Sequence, residues 1–75
     1  MAKIEIYSRE WFEKNVSLYK DHTADAWVAT IEMPDKHQLS SQSAYGATPI
    51  KTVKARVTES LWKLMQTYIQ EKGLK

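Results

Sequence analysis

Seventy-five residues with no cysteine leave room for one small domain and exclude a disulfide framework or a thiolate metal site. A net charge of +2 is too small to imply a nucleic-acid partner by itself. No apolar run approaches the ~20 residues of a membrane span, and Met1, Ala2, Lys3, Ile4 and Glu5 lack the apolar core of a secretory signal, so the expected compartment is cytoplasmic.

Ile4 and Ile6 alternate with Lys3, Glu5 and Tyr7, which predicts a short half-buried strand over about 3–7. Residues 8–15 fit two readings: Ser8 caps a helical turn, or the strand runs on through Trp11 and Phe12. These two aromatics are adjacent and point in different directions either way. One belongs to the core, and Trp11 is a candidate for a surface contact.

Residues 16–19 predict a second strand, with Val16 and Leu18 on one face and Ser17 and Tyr19 on the other. The polar stretch Lys20, Asp21, His22, Thr23, Ala24 and Asp25 is rich in turn formers. Residues 26–33 then predict a third strand. Trp27, Ala29, Ile31 and Met33 share one face; Val28, Thr30 and Glu32 share the other. Strand, turn and strand make an antiparallel hairpin, and Pro34 ends it because proline cannot donate to a ladder. Over 38–45, Leu39, Ser41, Ser43 and Tyr45 alternate with Gln38, Ser40, Gln42 and Ala44. So polar a strand suits an edge or a solvated sheet face. A serine-rich loop is the other reading.

Residues 48–72 predict one long helix. Thr48 is placed to cap it, Pro49 to open it, and Gly73 to end it after the cationic Lys72. Ile50, Val53, Val57, Leu61, Leu64 and Tyr68 recur at three and four and predict the stripe that covers the sheet. Trp62, Met65 and Ile69 form a second stripe on the flank. It reads either as a wider core contact or as a protein interface, where aromatic and methionine anchors are enriched.

Strands first and one helix last predict an α+β domain of two layers. A three- to four-stranded antiparallel sheet, a β-β-β-α core with an additional N-terminal strand, packs against one long C-terminal helix. A domain this small with no staple gains stability by self-association, so a homodimer or larger oligomer is expected.

Three stretches resemble the HicB-like antitoxin domain: Asn15-Val16-Ser17-Leu18-Tyr19-Lys20-Asp21, Ala26-Trp27-Val28-Ala29-Thr30-Ile31-Glu32-Met33-Pro34, and Gly46-Ala47-Thr48-Pro49 with the helix that follows. In that family a first strand ends in an acidic turn. A second strand, aromatic–Val–Ala/Val, runs to a proline, and a third ends in Gly-x-Thr ahead of a helix containing Glu-x-Leu, here Glu59-Ser60-Leu61. The resemblance spans residues 15–72. It departs from the family at Pro34-Asp35-Lys36-His37, where a tighter turn is usual, in the polarity of the third strand, and over 1–14, which lie outside the pattern. Family members often append a DNA-binding segment; none follows residue 72 here, so promoter binding is not expected. The resemblance implies a non-enzymatic protein-binding module that inhibits a toxin or other effector by direct binding, without a cofactor.

The residues themselves carry no catalytic constellation. There is no Gly-x-Ser-x-Gly elbow, and Gly46 and Gly73 make no phosphate-cradling loop. Asp21, His22 and Asp25 cluster in what reads as a solvated hairpin turn, and neither His22 nor His37 has a partner at ligand spacing, so no metal is expected. Lys51, Lys54, Arg56 and Lys63 make the first half of the helix basic but straddle it, Lys51 and Lys54 on one side and Arg56 and Lys63 on the other. Together with Tyr7, Trp11 and Tyr45 on a sheet, they define the alternative function. This is a small, phage-type nucleic-acid-binding protein whose aromatics stack bases beside its cations.

Overall fold

The structure is a computed structural model that describes residues 4–44, 46 and 48–74. The elements are α1 (Arg9–Asn15), β1 (Ser17–Asp21), β2 (Ala26–Glu32), β3 (Gln38–Ala44) and α2 (Ile50–Lys72). The strands form one antiparallel sheet in the order β1-β2-β3. α2 lies across β3 and β2, and α1 sits on β2 beside α2. The domain is therefore α+β with a three-stranded sheet. Among the described residues, no helix is long and apolar enough to cross a membrane.

The ambiguous stretch after Tyr7 is helical. Ser8 takes an extended conformation at the N-cap, and its hydroxyl accepts from the Trp11 N–H at 3.2 Å. Glu10 in the first turn and Lys14 in the last complement the helix dipole. The strand predicted at 3–7 does not form over residues 4–7; Lys3 lies outside the described residues. Tyr7 is held at φ 72°, and the Ser8 N–H and hydroxyl both donate to the Glu5 carbonyl, at 3.2 and 2.7 Å. This turn uses the backbone groups that a ladder would need and aims the chain into α1.

β1 begins one residue later than predicted, because the Val16 N–H closes α1 on the Phe12 carbonyl. β2 ends at Glu32. Met33 then accepts from the Lys36 N–H and donates to the His37 carbonyl, each at 2.8 Å, with Lys36 at φ 74°. The polar stretch after it is a regular strand: each residue of β3 pairs with one of β2, from Glu32↔Gln38 to Ala26↔Ala44. Tyr45 lies outside the described residues.

α2 starts later than expected. Pro49, not Thr48, occupies the N-cap; its carbonyl accepts from Thr52 and Val53 at 3.0 and 3.1 Å, and no side chain caps the helix. At the far end Gly73 adopts the left-handed conformation, φ 65°, and the Leu74 N–H reaches back to Ile69 O.

The buried stripe of α2 is Val53, Val57, Leu61, Met65 and Ile69, one residue in every four. Most of it packs with Ala29, Ile31, Met33, Leu39 and Phe12. Ile50 and Leu64, assigned to the stripe from spacing, are 52% and 41% exposed. The reason is helical geometry. Steps of four overshoot one turn, so an i+4 row winds slowly around the helix and follows the twisted sheet beneath it. No described element covers the sheet's other face, yet Ala26 and Val28 on the central strand are buried there between their neighbours on β1 and β3.

Candidate functional site

The flank of α2 that faces β3 forms a groove of about 500 Å³, lined by Ser43 of β3 and by Thr52, Arg56, Glu59, Ser60 and Lys63 of α2. Arg56 and Lys63 are seven residues apart and hence on one side of the helix. Neither has an ion-pair partner among the described residues. Glu59 is engaged elsewhere: its carboxylate accepts from Arg9 Nη2 at 2.6 Å.

Arg9 joins α1 to α2. Its Nε donates to Glu13 at 3.0 Å, and its guanidinium lies 5.2 Å from the Trp62 ring and 5.4 Å from the Phe12 ring. The bond to Glu59, and after it the bond to Glu13, hold its pKa above the usual arginine value. Trp62 meets Phe12 edge-on at 5.1 Å.

A third cluster closes the far end of the domain. The Tyr68 hydroxyl donates to Asp35, the His37 ring stacks on Tyr68 at 5.0 Å, and Lys72 Nζ lies 5.9 Å from the same ring. Asp35 also accepts from the His37 backbone N–H. The Tyr68 bond first, then the His37 bond, lower the Asp35 pKa; the same carboxylate pushes Tyr68 up to about 12.

The predicted interface residues are dispersed. Met65 and Ile69 are 0% and 3% exposed, so they belong to the core of this chain and offer no free flank. Trp62 is half-buried on Phe12. Trp11 is half-buried too, with Tyr7 edge-on at 5.6 Å. Of the cations proposed for nucleic acid, Arg56 and Lys63, placed on one side of the helix by their spacing, both line the groove. Lys54 instead lies over the Trp27 ring at 4.5 Å, and Lys51 is exposed outside the groove lining. The aromatic platform does not assemble: Tyr7 and Trp11 stand on the α1 side of the chain and outside the sheet, and Tyr45 is outside the described residues. In the β1–β2 turn, Asp21 Oδ1 accepts from the Thr23 and Ala24 N–H groups at 3.0 and 3.2 Å, a turn-forming role.

Sequence reasoning missed Arg9, Glu59 and the Asp35–Tyr68 pair. Arg9 and Glu13 carry the helical i, i+4 signal. The contacts to Glu59 and between Asp35 and Tyr68 span elements and leave no local pattern. No protein-family model, curated protein or solved structure matches the chain.

Proposed function

We propose that this chain is a non-enzymatic protein-binding module, acting as HicB-like antitoxin domains do by occupying the surface of a toxin or other effector. One observation carries the reading: β3 is an edge strand that runs beside a groove with two uncommitted cations, Arg56 and Lys63. A sheet edge is a template for another chain. The β-β-β-α order of β1 to α2 and the proline after β2 agree with the resemblance. The nucleic-acid alternative loses support from the positions of Tyr7, Trp11 and Lys54, which are occupied by contacts within the chain.

The test is co-expression with the product of the adjacent reading frame. A toxic product whose effect this chain relieves, and with which it co-purifies as a stoichiometric complex, bears the proposal out. Failure of every neighbouring product to associate, combined with salt-sensitive retention on RNA or single-stranded DNA, decides for the alternative.

A further inference from the structure

The two edges of the sheet are built differently. β1 is five residues long and ends in Lys20 and Asp21. Short, charged edges discourage foreign strands. β3 has seven residues, none charged and none proline, and its register with β2 runs residue for residue without a bulge. Charge, proline and bulge, three common devices for blunting an edge, are missing from it. Among the described residues, no hydrogen bond outside the sheet engages the β3 backbone, so the N–H and C=O groups that turn away from β2 are open to pairing with another chain.

The chemistry beside that edge narrows the occupant. The groove on the helix side of β3 presents the Arg56 and Lys63 cations with the hydroxyls of Ser43, Thr52 and Ser60. Its one carboxylate, Glu59, is neutralised by Arg9 at 2.6 Å. The local potential is positive although the chain's net charge is only +2.

We propose that β3 docks an extended acidic segment of a partner protein, which adds a fourth strand beside Gln38–Ala44 and turns alternate carboxylates onto Arg56 and Lys63. The inference rests on the protein-binding reading and names its surface and partner chemistry. Backbone pairing supplies affinity, and the two-residue alternation supplies specificity. A second copy of this chain suits the edge poorly, because antiparallel pairing of two β3 strands brings two sets of Arg56 and Lys63 to one seam. Nucleic acid would use the cations and leave the unpaired backbone unanswered.

The experiment is fluorescence anisotropy on the whole chain with a labelled seven-residue peptide of alternating threonine and glutamate. The comparators are the same peptide with lysine for glutamate, two versions N-methylated at alternate amides in either phase, and single-stranded DNA and duplex RNA. The acidic peptide is expected to bind at least about tenfold more tightly than its lysine counterpart, and N-methylation in one phase to abolish binding. The double variant Arg56→Glu/Lys63→Glu, at two exposed side chains, is expected to weaken binding by about tenfold or more. Equal binding of the acidic and basic peptides overturns the proposal. So does indifference to N-methylation, tighter binding of either nucleic acid, or a wild-type dimer that Ser41→Pro dissolves. If the peptide fails while a neighbouring gene product still binds, the edge proposal falls and the module reading stands. If the peptide binds and no neighbouring product does, the edge stands and the inhibitor reading falls.

Discussion

The phenol of Tyr68 donates to Asp35 Oδ2 at 2.6 Å, tying the C-terminal turns of α2 to the β2–β3 turn across 33 positions of sequence. The stacked His37 ring and the Asp35 cap on the His37 N–H make the turn and the helix end one unit. Asp35 is exposed and Tyr68 only half-buried, so the tie acts on the local order of this end more than on global stability.

Its pH dependence has a definite sign. The Asp35 pKa is lowered in the folded chain, so its contribution is present above the ordinary value of 3.8 and is lost as pH falls through the folded value. Tyr68 is raised from 10.0 to about 12, so its contribution is present below 10.0 and is lost as pH rises through about 12. Tyr68→Phe removes the tie. Hydrogen exchange of the Lys36 and His37 amides should therefore differ between wild type and variant on a plateau between these limits and converge outside them. A difference that persists unchanged in strong acid would mean that the bond is not what orders the turn.

The phase of α2 sets a second expectation. Leu61 and Met65 are fully buried, so alanine at either should cost ~2–5 kcal/mol. Leu64 is 41% exposed, and Leu64→Ala should fall within ~0.5 kcal/mol of wild type. Urea midpoints at constant slope decide it. Equal costs at Leu64 and Met65 would restore the stripe read from spacing.

That contrast shows what was legible and what was not. The alternation in 26–33 separated the two faces of β2, and the structure places Ala29, Ile31 and Met33 of one face in the core. The stretch 38–44 read as either strand or loop; the structure makes it a strand in which Leu39 is the buried residue among serine, glutamine and alanine. Spacing also revealed that α2 is long and amphipathic. It could not fix the phase, because Leu61, Leu64, Met65 and Tyr68 satisfy overlapping three- and four-residue rows, and only the direction of the sheet chooses between them. The N-terminal strand failed for a different reason. Ile4 and Ile6 do alternate, but Tyr7 enters a left-handed turn that residue type alone does not announce. In the candidate site, the common flank of Arg56 and Lys63 followed from the seven-residue spacing, whereas the neutralisation of Glu59 by Arg9 depends on α1 packing against α2.

Arg9 makes α1 dependent on that packing. A seven-residue helix is too short to persist alone in water, so its order comes from contacts beyond itself. Arg9→Ala removes the bonds to Glu59 and Glu13 and the cover over two rings, for a total of ~1 kcal/mol because the ion pairs are exposed. Arg9→Lys should recover only part of it, since an ammonium cannot reproduce the planar fork and the stacking together. Exchange of the Phe12 and Val16 amides should accelerate before the global transition moves. Unchanged protection at these amides would show that Phe12 burial alone holds α1.

Trp62→Glu separates a core role from an interface role. If the flank of α2 joined two copies, this change would yield a folded chain of lower mass. In the structure Trp62 serves the chain's own packing, since its ring meets Phe12 edge-on and lies beneath the Arg9 guanidinium. A glutamate there loses the aromatic contact and sets a carboxylate against the buried Phe12, three residues from Glu59. Trp62 is half-buried, so the cost should be ~1–3 kcal/mol, below that of a fully buried tryptophan. Met65 and Ile69 are buried in the chain's own core, so of the second stripe only part of Trp62 reaches the surface. Sedimentation of wild type and Trp62→Glu at equal concentration should therefore give the same mass, while the melting temperature of the variant falls. An unchanged melting temperature with a halved mass would place the dimer seam on this face of α2.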